Sequence, residues 1–158
     1  MKIIISPYSH KNPKDPKREN PKNYPYWGKL VSLLKQKGHY IIQIGIDGEN
    51  QIKDVDEYQF NLSFSELEKL TQSCDLFISV DNFYQHFCNS ISPKKRGIVL
   101  WGKSDPKIFG YDYNENLLKS QKYLRKNQFD IWWNESYYSE AFVQPQFVIS
   151  IIERSFSE

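Results

Sequence analysis

Short apolar runs alternate along this chain with longer amphipathic or polar segments, and this alternation constrains the fold most strongly. The runs cover residues 2–6, 39–46, 75–80 and 97–101. Apolar runs of this length, rich in β-branched residues, are typical of strands that are buried on both faces of a parallel sheet. We therefore predict an α/β fold in which helices cover both faces of a parallel, Rossmann-like sheet.

The segments between the runs carry the signals of helices. Leu30, Val31 and Leu34 recur at the spacing of one helical face, and Gly38 stands where the left-handed residue that ends a helix usually lies. This pattern predicts a first helix that begins near Pro25 and ends near residue 37. Similar signals, including a capping box at Ser63, predict three further helices, at residues 63–73, at residues 83–91 and from residue 145 onward.

The apolar spacing also predicts which side chains these helices bury. Phe83, Phe87 and Ile91 are expected on the inner face of the third helix, and Phe147 on that of the last. The residues between the second strand and the second helix are predicted to form a polar connector. Residues 112–134 contain many aromatic side chains without a clear period, so no element is assigned there.

Composition places the chain among soluble globular proteins. Its 158 residues, of which 39% are hydrophobic and 25% charged, are enough for one domain, which we assign to residues 1–158. The apolar runs are far shorter than the roughly 20 residues that span a bilayer, and the first run is too short for a secretion signal. A cytoplasmic protein without membrane insertion is therefore expected.

Charge and cysteine content argue against two further classes of protein. The formal net charge of +2 gives no general basis for binding nucleic acid. Cys74 and Cys88 have no metal-ligand spacing, so both are expected to be packing residues and no metal site is predicted.

A ligand site is expected at one edge of the sheet. The carboxyl ends of parallel strands meet at the same edge, so the loops that follow the four strands should lie together there. The loop after residue 80 holds Asp81, Asn82 and His86, with Asn82 as the predicted cap of the third helix. The free N–H groups of such a helix start bind phosphate well. The alternative is that Asp81 and Asn82 only cap the helix and that His86 is a surface residue.

The other loops at this edge add charged groups. Lys22 stands immediately before the first helix, so it cannot lie far from the edge. Glu49 follows the second strand, near where dinucleotide-binding folds place an acid that binds ribose. Lys103 and Asp105 follow the fourth strand, and Lys103 adds a cation there. Ordinary turns would explain the second and fourth loops equally well.

In their order these motifs resemble a known family. The matching segments are Lys22-Asn-Tyr-Pro-Tyr-Trp27, Ile44-Gly45 with Glu49, Leu76-Phe-Ile-Ser-Val-Asp81 with His86, and Trp101-Gly-Lys-Ser-Asp-Pro106. Over about the whole chain, the sequence resembles the carboxy-terminal, donor-binding lobe of the ADP-heptose:lipopolysaccharide heptosyltransferases, glycosyltransferase family 9. These enzymes have the two-lobed glycosyltransferase B fold.

The resemblance implies that the chain binds a nucleotide-diphosphate sugar as donor substrate, with no metal and no further cofactor. It implies that Lys22 contacts the donor phosphates and that Glu49 contacts the ribose. It also implies that the turn at Asp81 and Asn82, together with His86, contacts the diphosphate and sugar. The full set of predicted nucleotide-sugar-binding residues is Lys22, Glu49, Asp81, Asn82, His86, Lys103 and Asp105.

Two departures from the family limit this implication. The family has glycine two positions after the aspartate, where this chain has Phe83, so the pocket is expected to be altered or closed. The matching residues contain no counterpart of the amino-terminal lobe, which binds the acceptor and supplies the catalytic base. The catalytic residues are therefore unassigned, and a second protein chain or another copy of this one would have to complete an enzyme.

Three functions remain open from the sequence. The first is a glycosyltransferase, or its donor-binding subunit, completed by a second chain or by self-association. The second is a non-catalytic nucleotide-binding or interaction module in which Phe83 fills the site. The third is binding of single-stranded nucleic acid through the basic first loop and the 16% of aromatic residues.

Overall fold

A six-stranded parallel sheet forms the centre of the structure. The computed structural model describes residues 1–157, apart from the side chain of Asn134. The strands are β1 (Lys2–Ser6), β2 (Tyr40–Gly45), β3 (Glu57–Phe60), β4 (Leu76–Val80), β5 (Gly97–Trp101) and β6 (Glu115–Leu118). Neighbouring strands are parallel throughout, in the order β3-β2-β1-β4-β5-β6. This is the strand order of the doubly wound dinucleotide-binding folds.

Helices connect most of these strands. They are α1 (Trp27–Gln36), α2 (Phe64–Gln72), α3 (Phe83–Ser90), the short α4 (Pro106–Phe109) and α5 (Pro145–Ser155). The long segment between β6 and α5 contains three single turns of 3-10 helix. Within residues 1–157, every helix is too short or too polar to cross a membrane.

Successive side chains of each strand point to opposite faces of the sheet, and both faces are buried. Ile4 of β1 lies beside Ile42 of β2 and Phe77 of β4, and all three pack against α2 and α3. The preceding residue of each strand points to the opposite face, where it packs against α1 and α5. Because both faces are covered, the prediction of a parallel sheet between two helical layers is confirmed.

Local signals also form as predicted. Ser63 caps α2 by accepting a hydrogen bond from the Glu66 N–H at 3.2 Å, and the Glu66 carboxylate accepts from the Ser63 N–H at 2.8 Å. Gly38 has a φ of +77°, the left-handed conformation that ends α1. Cys74 and Cys88 are buried free thiols, in agreement with their predicted packing role.

Two helical faces differ from the prediction. Phe83 and Phe147 are 51% and 47% exposed, whereas α3 buries Tyr84 and Cys88 instead. Aromatic residues follow one another on α3, so the apolar spacing did not determine which of two adjacent stripes faces the sheet. The Tyr84 ring is favoured inside because its hydroxyl lies 2.8 Å from Thr71 Oγ1, which gives the buried polar group a partner.

Two strands were missed. β3 lies in the segment predicted to be a polar connector, and β6 lies in the segment where no element was assigned. Both are edge strands of the sheet, where one side of the strand is open. Edge strands tolerate polar side chains, so neither produces the continuous apolar run by which the inner strands are recognised.

Candidate functional site

The carboxyl edge of the sheet carries a cavity of about 580 Å³. It lies outside the ends of β2, β1 and β4, beside the point where the strand order reverses between β1 and β4. Ligands of doubly wound sheets bind at such a point, and this volume lies within the range of small-molecule sites. The residues that line this first cavity include Tyr8, Lys11, Glu49, Asn61, Asn82 and Phe83.

Asn82 connects two loops at the reversal point. Its Oδ1 accepts a hydrogen bond from the Tyr84 N–H at 3.0 Å, so it caps α3 as predicted. Its Nδ2 lies 3.0 Å from Ser6 Oγ and 3.1 Å from the carbonyl oxygen of Tyr8, which places the loop after β1 against the start of α3. The amino end of α3 therefore borders the first cavity in a fixed position.

Glu49 supplies a carboxyl group to the first cavity. Burial raises the pKa of Glu49 to about 7. The Tyr58 hydroxyl donates a hydrogen bond to the Glu49 carbonyl oxygen at 2.8 Å and so holds its backbone. A Cβ at Gly45 would lie 2.6 Å from Glu49 Oε2, so the carboxyl group occupies this position only because residue 45 is glycine.

Tyr8 and Lys11 extend the polar wall around Glu49. Burial and the nearby charges of Glu19 and Glu49 raise the pKa of Tyr8 to about 12. The Lys11 ammonium donates to the carbonyl oxygen of Gly48 at 2.9 Å, next to the carboxyl group. The first cavity thus combines hydroxyl, carboxyl and ammonium groups with an apolar lining.

Phe83 lies on the wall of this cavity, where the family of resemblance has glycine. Its ring is about half exposed and lies beside the rings of Tyr84 and Phe87, at centroid distances of 6.2 and 6.4 Å. The cavity keeps its 580 Å³ in the presence of this ring. Phe83 therefore narrows the cavity without filling it.

Lys22 and Asp81 form an ion pair next to the cap of α3. Lys22 Nζ lies 3.0 Å from Asp81 Oδ2, and both side chains are largely buried. The fully buried Gln85 donates from Nε2 to Asp81 Oδ1 at 3.0 Å, so both carboxylate oxygens have partners. The Lys22 ammonium also lies 5.1 Å from the centre of the Trp132 ring, at a second cavity of about 500 Å³.

Lys103 and Asp105 lie in the loop that borders the second cavity through Ser104. Lys103 Nζ lies 3.3 Å from Glu135 Oε2 and 4.7 Å from the centre of the Tyr138 ring. Asp105 caps α4, since its Oδ1 accepts from the Lys107 N–H at 2.9 Å.

The structure brings some of the predicted residues together and separates others. Glu49 and Asn82 share the first cavity, whereas Lys22 lines the second, with its partner Asp81 one residue before Asn82. His86 lies on the exposed side of α3, where its Nδ1 is 2.7 Å from the Tyr111 hydroxyl. Within the described part of the chain, no three His, Cys, Asp or Glu side chains are grouped in a way that would hold a metal ion.

Several residues at the two cavities were not predicted. Asn61 lines the first cavity because it follows the missed strand β3, and its φ of +55° marks the turn. The alternation of Tyr58 and Phe60 with polar residues was the signal for that strand. Arg125 lines the second cavity, and no local sequence pattern distinguishes it from other basic residues.

Several solved structures with a similar fold are glycosyltransferases that transfer heptose or are named as heptosyltransferases. The E. coli ADP-heptose LPS heptosyltransferase II has a TM-score of 0.64 and 13% identity, over 97% of this chain and 45% of that chain. The E. coli heptosyltransferase WaaC with ADP has a TM-score of 0.61 and 16% identity, over 96% and 43%. The iron-containing dodecameric glycosyltransferase TibC, from enterotoxigenic E. coli, has a TM-score of 0.60 and 12% identity, over 90% and 36%.

These similarities define a class of fold. The chain has a glycosyltransferase-like, Rossmann-like α/β fold, and it spans less than half the length of these heptosyltransferases. No protein-family model and no curated protein matches the sequence.

Proposed function

We propose that this chain binds a nucleoside-diphosphate sugar in the first cavity and serves as the donor-binding part of a glycosyltransferase. The first cavity carries the proposal, because it combines a carboxyl group from Glu49 with the amino end of α3 at the reversal point of the sheet. A nucleoside diphosphate presents ribose hydroxyls and a concentrated negative charge. A carboxylate binds the ribose hydroxyls, and the amino end of a helix binds the negatively charged diphosphate.

The structural neighbours suggest the first nucleotide to test. WaaC was solved with ADP, and TibC was solved in complex with ADP-D-beta-D-heptose. Both enzymes share the fold of this chain over at least 90% of its length. We therefore propose ADP and its sugars as the first candidates.

We propose the following contacts for each part of the ligand. Glu49 accepts hydrogen bonds from the ribose, and the first-turn N–H groups of α3 receive the diphosphate. Lys22 is fixed by Asp81, directly before the cap of this helix, and adds positive charge at the diphosphate and sugar end. Asn82 holds the helix start in place. We further propose that Lys103 and Asp105, in the loop that borders the second cavity through Ser104, act at the sugar end of the donor.

Sugar transfer needs an acceptor and a base that removes a proton from the attacking hydroxyl. Since the structural neighbours are more than twice as long as this chain, we propose that a second chain or another copy supplies the acceptor-binding part. The carboxyl edge of the sheet, where both cavities open, is the surface that such a part would cover.

One observation favours a second candidate function, which is nucleotide binding without transfer. Phe83 replaces the bare backbone that the family of resemblance presents to the phosphates, and its ring narrows the first cavity. Since the proposed donor-binding part needs a second chain or copy for transfer, only a positive result with the purified chain and ADP-sugars separates the two functions. Release of ADP, coupled to glycosylation of an acceptor or of water, would reject the non-catalytic function.

Thermal denaturation with nucleoside diphosphates and their sugars tests the binding proposal. A ligand at 100 times its Kd stabilises the folded chain by about 2.7 kcal/mol, which raises the Tm of a domain of this size by about 5–10 °C. Glu49→Gln and Lys22→Ala should each reduce this shift. Lys94→Gln, at an exposed residue that leads into β5 on the opposite edge of the sheet, is the matched control and should keep it. The absence of a shift with every nucleotide tested would contradict the proposal.

A further inference from the structure

We propose that the second cavity is an anion-binding site, with specificity for a carboxylate or phosphate monoester attached to a sugar-sized ring. It is lined by a different set of residues from the first cavity and goes beyond the proposed nucleotide site. Its volume of about 500 Å³ suits a small organic anion. The residues that carry the inference are Lys22, Ser104, Arg125, Gln128, Trp132 and Trp133.

Arg125 is the central group of this site. Its Nε donates to Glu135 Oε1, and its Nη1 donates to Ser104 Oγ at 3.2 Å. Its Nη2 is buried and has no hydrogen-bond partner among the described residues, although the side chain is only 7% exposed. Buried polar groups are almost always paired, and a guanidinium binds carboxylate and phosphate oxygens in a bidentate geometry. A ligand oxygen is the partner that this nitrogen lacks.

The buried charges at and beside the cavity favour an anion, whereas the exposed Asp130 on its border does not. Glu135 is shared between Arg125 and Lys103, at 3.3 Å from the latter, and these side chains are all at most 15% exposed. Lys22 is paired with Asp81, its one ionic partner among residues 1–157 as described. In these described ion pairs, the three basic groups of Lys22, Lys103 and Arg125 are therefore balanced by only two carboxylates, those of Asp81 and Glu135. Asp130, which also borders the cavity, is exposed and accepts a hydrogen bond from Asn127 at 3.0 Å.

The aromatic residues add a requirement on the shape of the ligand. Trp132 and Trp133 meet edge to face with their ring centres 5.6 Å apart, and the Lys22 ammonium lies over Trp132. Flat apolar faces beside fixed positive charges match a ring that carries an acidic group better than they match a bare inorganic ion. The same segment forms the outer wall, where Phe129 is 78% exposed. Arg125 Nη2 itself is buried, so a ligand reaches it only after neighbouring side chains move.

Two sources of such an anion share this chemistry. One is an acidic sugar carried by the nucleotide donor, and the other is a separate acidic acceptor. Titrations with and without saturating ADP distinguish them. If ADP and the anion compete for binding, the anion corresponds to the acidic sugar of the donor, because Lys22 would then border both ligands. Independent or tighter binding with ADP present identifies a separate molecule.

Tryptophan fluorescence tests the site directly, because Trp132 and Trp133 line the cavity whereas Trp27 and Trp101 are buried in the core. The full chain is titrated with glucose 6-phosphate and with glucuronate, and glucose is the uncharged control. We expect saturable quenching by at least one of the two anions and none by glucose. Equal responses to anions and glucose, or no response to either anion at about 10 mM, would overturn the inference.

Substitutions then locate the binding. Arg125→Gln should weaken anion binding about ten-fold or more, which is the usual effect of losing a charged hydrogen bond. Trp132→Leu, at a partly exposed residue, should also weaken it and covers the case in which Arg125→Gln fails to fold. Lys94→Gln should leave it unchanged. If a folded Arg125 or Trp132 variant retains full affinity, the anion binds elsewhere and the inference is wrong.

The proposed nucleotide site is assessed separately. Glu49→Gln should lose nucleotide binding and keep the quenching by the anion, whereas Arg125→Gln should show the opposite behaviour, measured by calorimetry with ADP. If one of the two binding proposals is wrong, the measurements on the other site can therefore still be interpreted.

Discussion

Asn82 has two structural roles at the reversal point of the sheet, and a pair of substitutions separates them. Its Oδ1 caps α3, and its Nδ2 links Ser6 and Tyr8 to the helix start. Loss of such a cap costs about 1 kcal/mol, and each of the two hydrogen bonds contributes about 1 kcal/mol. We expect Asn82→Ala to lower the free energy of unfolding by about 3 kcal/mol. Asn82→Ser keeps a capping oxygen and should lose about 2 kcal/mol.

Urea denaturation followed by circular dichroism measures both values. A loss of about 3 kcal/mol corresponds to a fall in Tm of about 6–12 °C for a chain of this size. Gln51→Ala, at an exposed residue of the loop after β2, is the matched control and should change stability by no more than about 0.5 kcal/mol. If Asn82→Ala is as stable as the control, the hydrogen bonds between Asn82 and the loop after β1 do not contribute to stability. If the two Asn82 variants are equal, the capping role is wrong.

Four further substitutions test other parts of the structure. Because burial raises the pKa of Glu49 from 4.5 to about 7, the folded chain binds more protons than the unfolded chain in that range, and stability should fall as pH rises through it. Since Glu49 is partly exposed, we expect the free energy of unfolding to fall by about 1 kcal/mol. Urea denaturation at pH 5 and 8 measures this fall, which should be absent from the Glu49→Gln variant. Gly97→Ala places a Cβ 2.3 Å from Phe77 Cδ1 and should destabilise the fold by about 1–3 kcal/mol. Gly28→Ala should stabilise α1 by about 0.5–1 kcal/mol, because its Cβ would meet no described atom within 4 Å apart from its chain neighbours and the backbone of its own helix. Thermal denaturation compares the two variants. Phe83→Gly should tighten ADP binding in calorimetry by widening the first cavity, and weaker binding would show that the ring contributes to the site.

The strands that were predictable from sequence are those that water hardly reaches. β1, β4 and β5 are apolar almost throughout because helices cover both of their faces, and their sequences show it. The edge strands β3 and β6 mix Glu57 and Glu115 with apolar residues, since one side of each remains open. A hydropathy pattern therefore weakens where the sheet ends.

The candidate site was predictable only where a single loop defines it. Asn82 was recognised as a cap because its partner Tyr84 lies two residues away. The contact of Lys22 with Asp81 depends on the path of the whole loop after β1, and that of Arg125 with Glu135 depends on an irregular segment. Such contacts join distant residues, and no periodic pattern encodes them.

The most direct test of the proposed function is to map ADP binding on the isotope-labelled chain by NMR. The account predicts that, on titration with ADP, the largest shifts of backbone amide signals occur at residues 45–49 and 82–84, and that Glu49→Gln greatly reduces them. Shifts confined to other surfaces, or no shifts at millimolar ADP and other nucleoside diphosphates, would contradict it.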